Sequence, residues 1–226
     1  AILSGLVGSE MCIRDRVKKV HVEALKYYEQ GYKIILVGHK GHPEVEGTAG
    51  RVPGGVKVIE TVDHVNKLKF SKSDLLAYVT QTTLSVDDTK KIIDALKEKY
   101  PNIKGPDTRD ICYATQNRQK AVRDLAKFSD VVLVLGNKNS SNSVRLAEIS
   151  ALTGIPTYRI SDKNELNLEL IKNYNVIGIT AGASTPEVLV KELVNHLKQN
   201  FGYNIDVEIL DGEQEKVSFK LPEIVR

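Results

Sequence analysis

The densest run of chemically capable side chains is Gly38-His39-Lys40-Gly41-His42-Pro43-Glu44. Two imidazoles and a carboxyl within six positions allow two chemistries. The spacing His-x-x-His-x-Glu on a loop could bind zinc. It could equally give an acid and a cation to a charged substrate. A solvent-facing polar loop with no chemistry is the third possibility. A second run, Asn139-Ser140-Ser141-Asn142-Ser143, offers hydroxyl and amide donors without bulk, and Ser184 in Ala181-Gly182-Ala183-Ser184-Thr185 adds another. Such residues cap helices. At a helix start they also suit anions, phosphates above all, because free backbone N–H groups point the same way. A third run, Thr80-Gln81-Thr82-Thr83, is of the same small polar kind. Cys112 falls at the entry to an expected helix, where a thiol is either a small buried hydrophobe or a thiolate able to take a metal.

Each of these loops follows an expected strand and precedes an expected helix. Lys33 to Val37 (KIILV), Leu75 to Val79 and Val131 to Leu135 (VVLVL) read as short buried strands, and Val56 to Glu60 and Val176 to Thr180 as two more. Between them lie helical patterns. One is carried by Val20, Ala24 and Tyr28, another by Ile92, Ile93 and Leu96 behind the cap Ser85, and a third runs from about Thr115 to Phe128. Two more surround Leu146, Ile149 and Leu152, and Val188 to Leu197. Pro43 suits the first turn of a short helix. Asn204 to Ile209 and Lys216 to Leu221 alternate and are expected to be strands. The alternation predicts an α/β chain: two similar modules, each with a small, mainly parallel sheet flanked by helices. In open parallel sheets ligands bind beyond the carboxyl ends of the strands, where these loops lie.

The composition narrows the classes. The 226 residues carry a formal net charge of +3, with aromatics at 6% and no Trp. That is too little positive charge and too little stacking surface to argue for nucleic acid. No apolar run approaches the roughly 20 residues of a membrane helix. Two cysteines, Cys12 and Cys112, make no disulfide scaffold, which fits a reducing cytoplasmic setting. Residues 1–16 (AILSGLVGSEMCIRDR) lack the pattern that becomes regular at Val17, and read as a foreign leader.

Six segments in order carry a resemblance: Val17 to His21 (VKKVH), Gly38 to Thr48 (GHKGHPEVEGT), Thr80 to Asp87 (TQTTLSVD), Asp110 to Gln119 (DICYATQNRQ), Lys138 to Ser143 (KNSSNS) and Thr180 to Ser184 (TAGAS). Together they resemble the 4-hydroxy-3-methylbut-2-enyl diphosphate reductase family of the non-mevalonate isoprenoid pathway. The resemblance implies three α/β modules around a [4Fe–4S] cluster held by three cysteines, one per module. It implies reductive removal of the substrate hydroxyl as water, giving isopentenyl and dimethylallyl diphosphates, with ferredoxin or flavodoxin as electron donor. By the same resemblance Cys112 is a cluster ligand, and Glu44 feeds protons to the substrate with Thr82 as its hydrogen-bonding partner. His42, Ser140, Ser141, Asn142 and Ser184 hold the diphosphate of the allylic substrate. The first module and its cysteine have no counterpart here, and Arg14 stands where the family's second cysteine would fall.

The chain is therefore expected to be the remnant of a three-module enzyme: residues 1–16 the leader, 17–108 the second module, 109–226 the third with a tail. Such a fragment is expected to retain no stable cluster and to be inactive. Two rivals stay open: a phosphorylated-metabolite-binding α/β protein without redox chemistry, and a zinc hydrolase built on His39, His42 and Glu44.

Overall fold

Two apolar pentapeptides organise the protein. In the computed structural model, which describes residues 9–71, 73–106, 111, 113–202 and 205–210, Lys33–Val37 forms β1 and Val131–Leu135 forms β4. Each is the middle strand of its own three-stranded parallel sheet. Apart from the exposed Lys33 the side chains of both strands are buried, as a strand covered on both faces requires. Burial of each such Val, Leu or Ile contributes about 1.5–3 kcal/mol.

The first sheet has the order β2-β1-β3, with Lys57–Ile59 as β2 and Leu76–Thr80 as β3. Val37 lies in register with Ile59 on one side and Thr80 on the other, so three strand ends finish level. Helices Ser9–Glu29 (α1), Pro43–Ala49 (α2), Val62–Lys67 (α3) and Val86–Lys99 (α4) connect and cover it. Val20 and Ala24 of α1 pack with Ile34, Leu36 and Val79 on one face, while Ile92, Ile93 and Leu96 of α4 pack with Ile35, Val37 and Tyr78 on the other.

The second sheet repeats the order as β5-β4-β6, with Thr157–Ile160 as β5 and Ile177–Ala181 as β6. Leu135 is level with Ile160 and Ala181. Helices Tyr113–Phe128 (α5) and Ser141–Ala151 (α6) cover one face. Glu187–Phe201 (α7) covers the other, with two single 3₁₀ turns at Lys163–Glu165 and Leu168–Leu170 between. The expected α/β architecture with two small parallel sheets is thus the observed one.

Three elements differ from expectation. α1 begins at Ser9, ahead of Val17, and runs unbroken across that position. β5 carries the exposed Arg159 and half-buried Thr157 and Tyr158 at a sheet edge, so it lacks the apolar run that marks a buried strand. In the tail, residues 205–210 alternate in polarity but pair with no strand, and Ile209 is largely exposed. Alternation alone does not make a strand, because strand preference depends on the packing and pairing around the segment. Asn204 and the stretch Lys216 to Leu221 lie outside the described residues.

Candidate functional site

The carboxyl ends of β1 and β3 bring the acid and its partner together. After β1 the chain turns at Gly38, where a Cβ would stand 2.6 Å from a Val45 methyl and 3.1 Å from Gln81. Gly41 takes φ 83°, a left-handed turn suited to glycine. His42 then caps α2 from an extended backbone, its Nδ1 accepting the Glu44 N–H at 3.2 Å. An imidazole that accepts at Nδ1 in its neutral form carries its proton on Nε2, so His42 presents an N–H donor on its other side. Burial first, and the nearby His39 second, lower the His42 pKa from its ordinary value, which favours this neutral form. Pro43 at the first helical position fits its fixed φ.

Glu44, in the first turn of α2, reaches across to the loop after β3. Its Oε1 accepts the Thr82 backbone N–H at 2.8 Å and its Oε2 accepts the Thr82 hydroxyl at 3.0 Å. Thr82 is fully buried and Glu44 half-buried, so two hydrogen bonds from one residue aim the carboxyl in one direction. The start of α2 adds a favourable helix-end field for a carboxylate.

A hydrogen-bond relay runs from this loop to the other sheet. The His39 N–H donates to Gln81 Oε1 at 3.0 Å, which fixes the amide's orientation. Gln81 Nε2 donates to Thr83 Oγ1 at 2.9 Å, and Thr83 Oγ1 donates to Ser141 Oγ at 3.1 Å. Ser141 is the first residue of α6, so the relay joins the acid-bearing half to the serine-rich half.

Ser140 caps α6, its Oγ accepting the Ser143 N–H at 3.3 Å and the Ser143 hydroxyl at 3.0 Å. Asn142 is the second residue of α6, 4% exposed, and neither its Oδ1 nor its Nδ2 has a hydrogen-bond partner. An unmatched buried amide costs about 1–3 kcal/mol, which is tolerated where something else is to be bound. Ser184 is exposed in the loop after β6, on the same sheet edge as Ser140 because β4 and β6 are parallel neighbours. Thr185 ties that loop to β4 by donating to the Leu135 carbonyl at 3.2 Å, and buried Arg118 of α5 donates to the Ala181 carbonyl at 3.2 Å.

The structure thus joins Glu44 to Thr82, sets His42 beside them, and links that group to Ser141 through Gln81 and Thr83. It does not gather His39, His42 and Glu44 on one point. His39 Nδ1 lies 3.4 Å from Glu60, His42 turns to its own helix, and Glu44 turns to Thr82. Among the described residues no group of three His, Cys, Asp or Glu side chains is arranged to hold a metal, so the zinc-hydrolase arrangement is not formed. Cys112 lies outside the described residues.

Gln81, Thr83 and Ser143 were not singled out by their types, because a Gln or Ser among Thr and Ser residues reads as one more cap. A cavity of about 540 Å³ opens between the two halves, lined by His39, His42, Thr83, Ser141 and Arg145 among others. A larger apolar one of about 700 Å³, beside β6 and α7, holds none of the candidate residues. Of the candidate residues, His39, His42 and Ser141 line the former, whereas Glu44, Thr82, Ser140, Asn142 and Ser184 do not.

The sequence model of a family described as "LytB protein" matches residues 11–198. A 4-hydroxy-3-methylbut-2-enyl diphosphate reductase 2 of Bradyrhizobium diazoefficiens is 51% identical over 206 residues, covering 91% of this chain and 66% of that protein. A reductase of the same name from Wolbachia sp. subsp. Brugia malayi is 49% identical over 209 residues, covering 92% and 67%. Among solved structures, the E-1-hydroxy-2-methyl-but-2-enyl-4-diphosphate reductase of Plasmodium falciparum matches with a TM-score of 0.86 at 38% identity, over 92% of this chain and 66% of that one. The chain spans about two thirds of the length of these relatives.

Proposed function

The chain belongs to the LytB family, and from that premise we propose that it supplies two of the modules with which a 4-hydroxy-3-methylbut-2-enyl diphosphate reductase binds and protonates its allylic substrate. The diphosphate is assigned to the α6 start and the β6 loop. Ser140, Ser141 and Ser184 offer hydroxyls there, Asn142 its amide, and His42 its Nε2–H from the other half. The observation that carries this reading is Asn142: buried, unpartnered, and at the start of a helix whose free N–H groups suit an anion.

Glu44 is assigned the proton. A protonated Glu44 would give its hydrogen to the leaving hydroxyl of the substrate, and Thr82 holds the carboxyl in place for that transfer.

The family's iron–sulfur cluster supplies electrons where it is bound, and Cys112 is proposed as one thiolate ligand. The donors in this sequence do not make a full set: three cysteines are implied, and Cys12 and Cys112 are the two in the 226 residues. No step is therefore routed through the cluster. A ferredoxin- or flavodoxin-type donor is the redox partner this reading implies.

Titration of pyrophosphate into the 226-residue chain, followed calorimetrically, tests the diphosphate assignment. Weak binding is expected, and Asn142→Ala should weaken it about tenfold or more, since a hydrogen bond to a charged group contributes about 1.5–3 kcal/mol. Absence of binding, or equal binding by the variant, would remove Asn142 and the α6 start from the function.

A further inference from the structure

We infer that Ser143 is a positioning residue that commits the Ser140 hydroxyl to donate into the diphosphate site. This deepens the diphosphate reading and rests on it. A serine hydroxyl has one proton and two lone pairs. The Ser140 Oγ accepts from both the N–H and the O–H of Ser143, so both lone pairs are occupied from within the protein. The one remaining function of that oxygen is to give its proton away, outward from the helix start. A phosphate oxygen only accepts, so a hydroxyl fixed as a donor meets it without first turning.

The surroundings fix Ser143 in turn. It is fully buried in α6, and its Oγ lies where a Cβ on either Gly136 or Gly182 would overlap it. Gly136 follows β4 and Gly182 follows β6, so the Ser143 hydroxyl is wedged between the two strand ends. The Gly182 N–H donates to the Leu135 carbonyl at 2.8 Å, and Thr185 Oγ1 would stand 3.2 Å from a Gly182 Cβ. One small side chain therefore sets the Ser140 proton and the spacing between the Ser140 and Ser184 loops. Only glycine at both strand ends leaves it room.

The test is a double-mutant cycle read by pyrophosphate affinity, with thermal melts alongside. Ser143→Ala frees the Ser140 rotor among three staggered positions, which should weaken pyrophosphate about three- to tenfold. Ser140→Ala removes the donor itself and should weaken it about tenfold or more. The decisive expectation is non-additivity: in the Ser140→Ala background, Ser143→Ala should cost nothing further. Ser143→Cys fills the space with a poor donor and should behave as Ser143→Ala does, which gives a second route if the alanine variant does not fold.

Wild-type affinity in the Ser143 variants, or losses that simply multiply, would overturn the inference. If the unmodified chain binds pyrophosphate and Asn142→Ala weakens it while the Ser143 variants do not, the diphosphate reading stands and only this inference falls. If the unmodified chain binds none, both fall.

Discussion

At the scale of single residues, the site depends on which atoms are already occupied. Both oxygens of Glu44 are held by Thr82, one by a backbone N–H that cannot reverse and one by a hydroxyl that can. Glu44→Gln can keep its carbonyl on the N–H and let the Thr82 hydroxyl turn to accept from the amide. The variant should therefore fold with little change in melting temperature. In a full-length reductase carrying these residues, it should lose about 10²–10⁴-fold in turnover while pyrophosphate affinity stays close to normal, because the amide cannot carry the proton proposed for Glu44. Near-normal turnover would take Glu44 out of the chemistry.

His42 gives a pH dependence with a definite sign. Its folded pKa lies below the ordinary 6.5, so below that value the unfolded chain takes up a proton that the folded chain resists. Stability is complete above about pH 6.5 and declines as pH falls toward the lowered value, where the cap bond from Glu44 N–H is lost. His42→Asn keeps a cap acceptor and removes the titration, so its melting temperature should be flatter across that window. An equal slope in both proteins would assign it elsewhere. Glu44, His42 and the serines were legible as candidates from type and order. Gln81 and Ser143 were not, because what the structure shows of them is which partner's lone pair they fill, and spacing says nothing of that.

At the scale of elements, periodicity located both central strands and the helices over them, because those segments are buried on both faces or along a clear stripe. It missed β5, whose edge position needs no apolar run, and it read the tail's alternation as pairing that does not form. The strand ends also carry a constraint visible only in three dimensions. A Cβ at Gly182 would displace the Ser143 hydroxyl between β4 and β6. Gly182→Ala should destabilise the protein by about 1–3 kcal/mol through overpacking, read as a lower denaturation midpoint with an unchanged slope. Gly154, at φ 84° past the end of α6, has open space around it, so a change there strains only the backbone and makes a useful comparison.

At the scale of the whole molecule, the two halves are joined where α4 begins. Buried Gln119 of α5 donates to the Leu84 carbonyl at 2.8 Å and accepts the Val86 N–H at 3.2 Å. On either side Asp87 pairs with Arg123 and Asp88 with Arg145. The ion pairs are partly exposed and contribute little each, whereas the neutral amide is buried and insensitive to salt. Gln119→Leu should therefore uncouple the halves where high salt does not, turning one calorimetric transition into two. A single transition in the variant would show that the halves are coupled elsewhere.

The shared strand order has a consequence for synthesis. In both sheets the middle strand is the earliest of its three to leave the ribosome, and its two flanking positions are filled only afterwards. KIILV and VVLVL thus each gain one neighbour from Lys57–Ile59 or Thr157–Ile160, and keep the other edge unpaired until Leu76–Thr80 or Ile177–Ala181 has been made. For that interval each nascent half exposes a short apolar β-segment of the kind that aggregates or engages chaperones. Pausing translation just before the third strand of either sheet should lengthen chaperone contact, and pausing just after it should not.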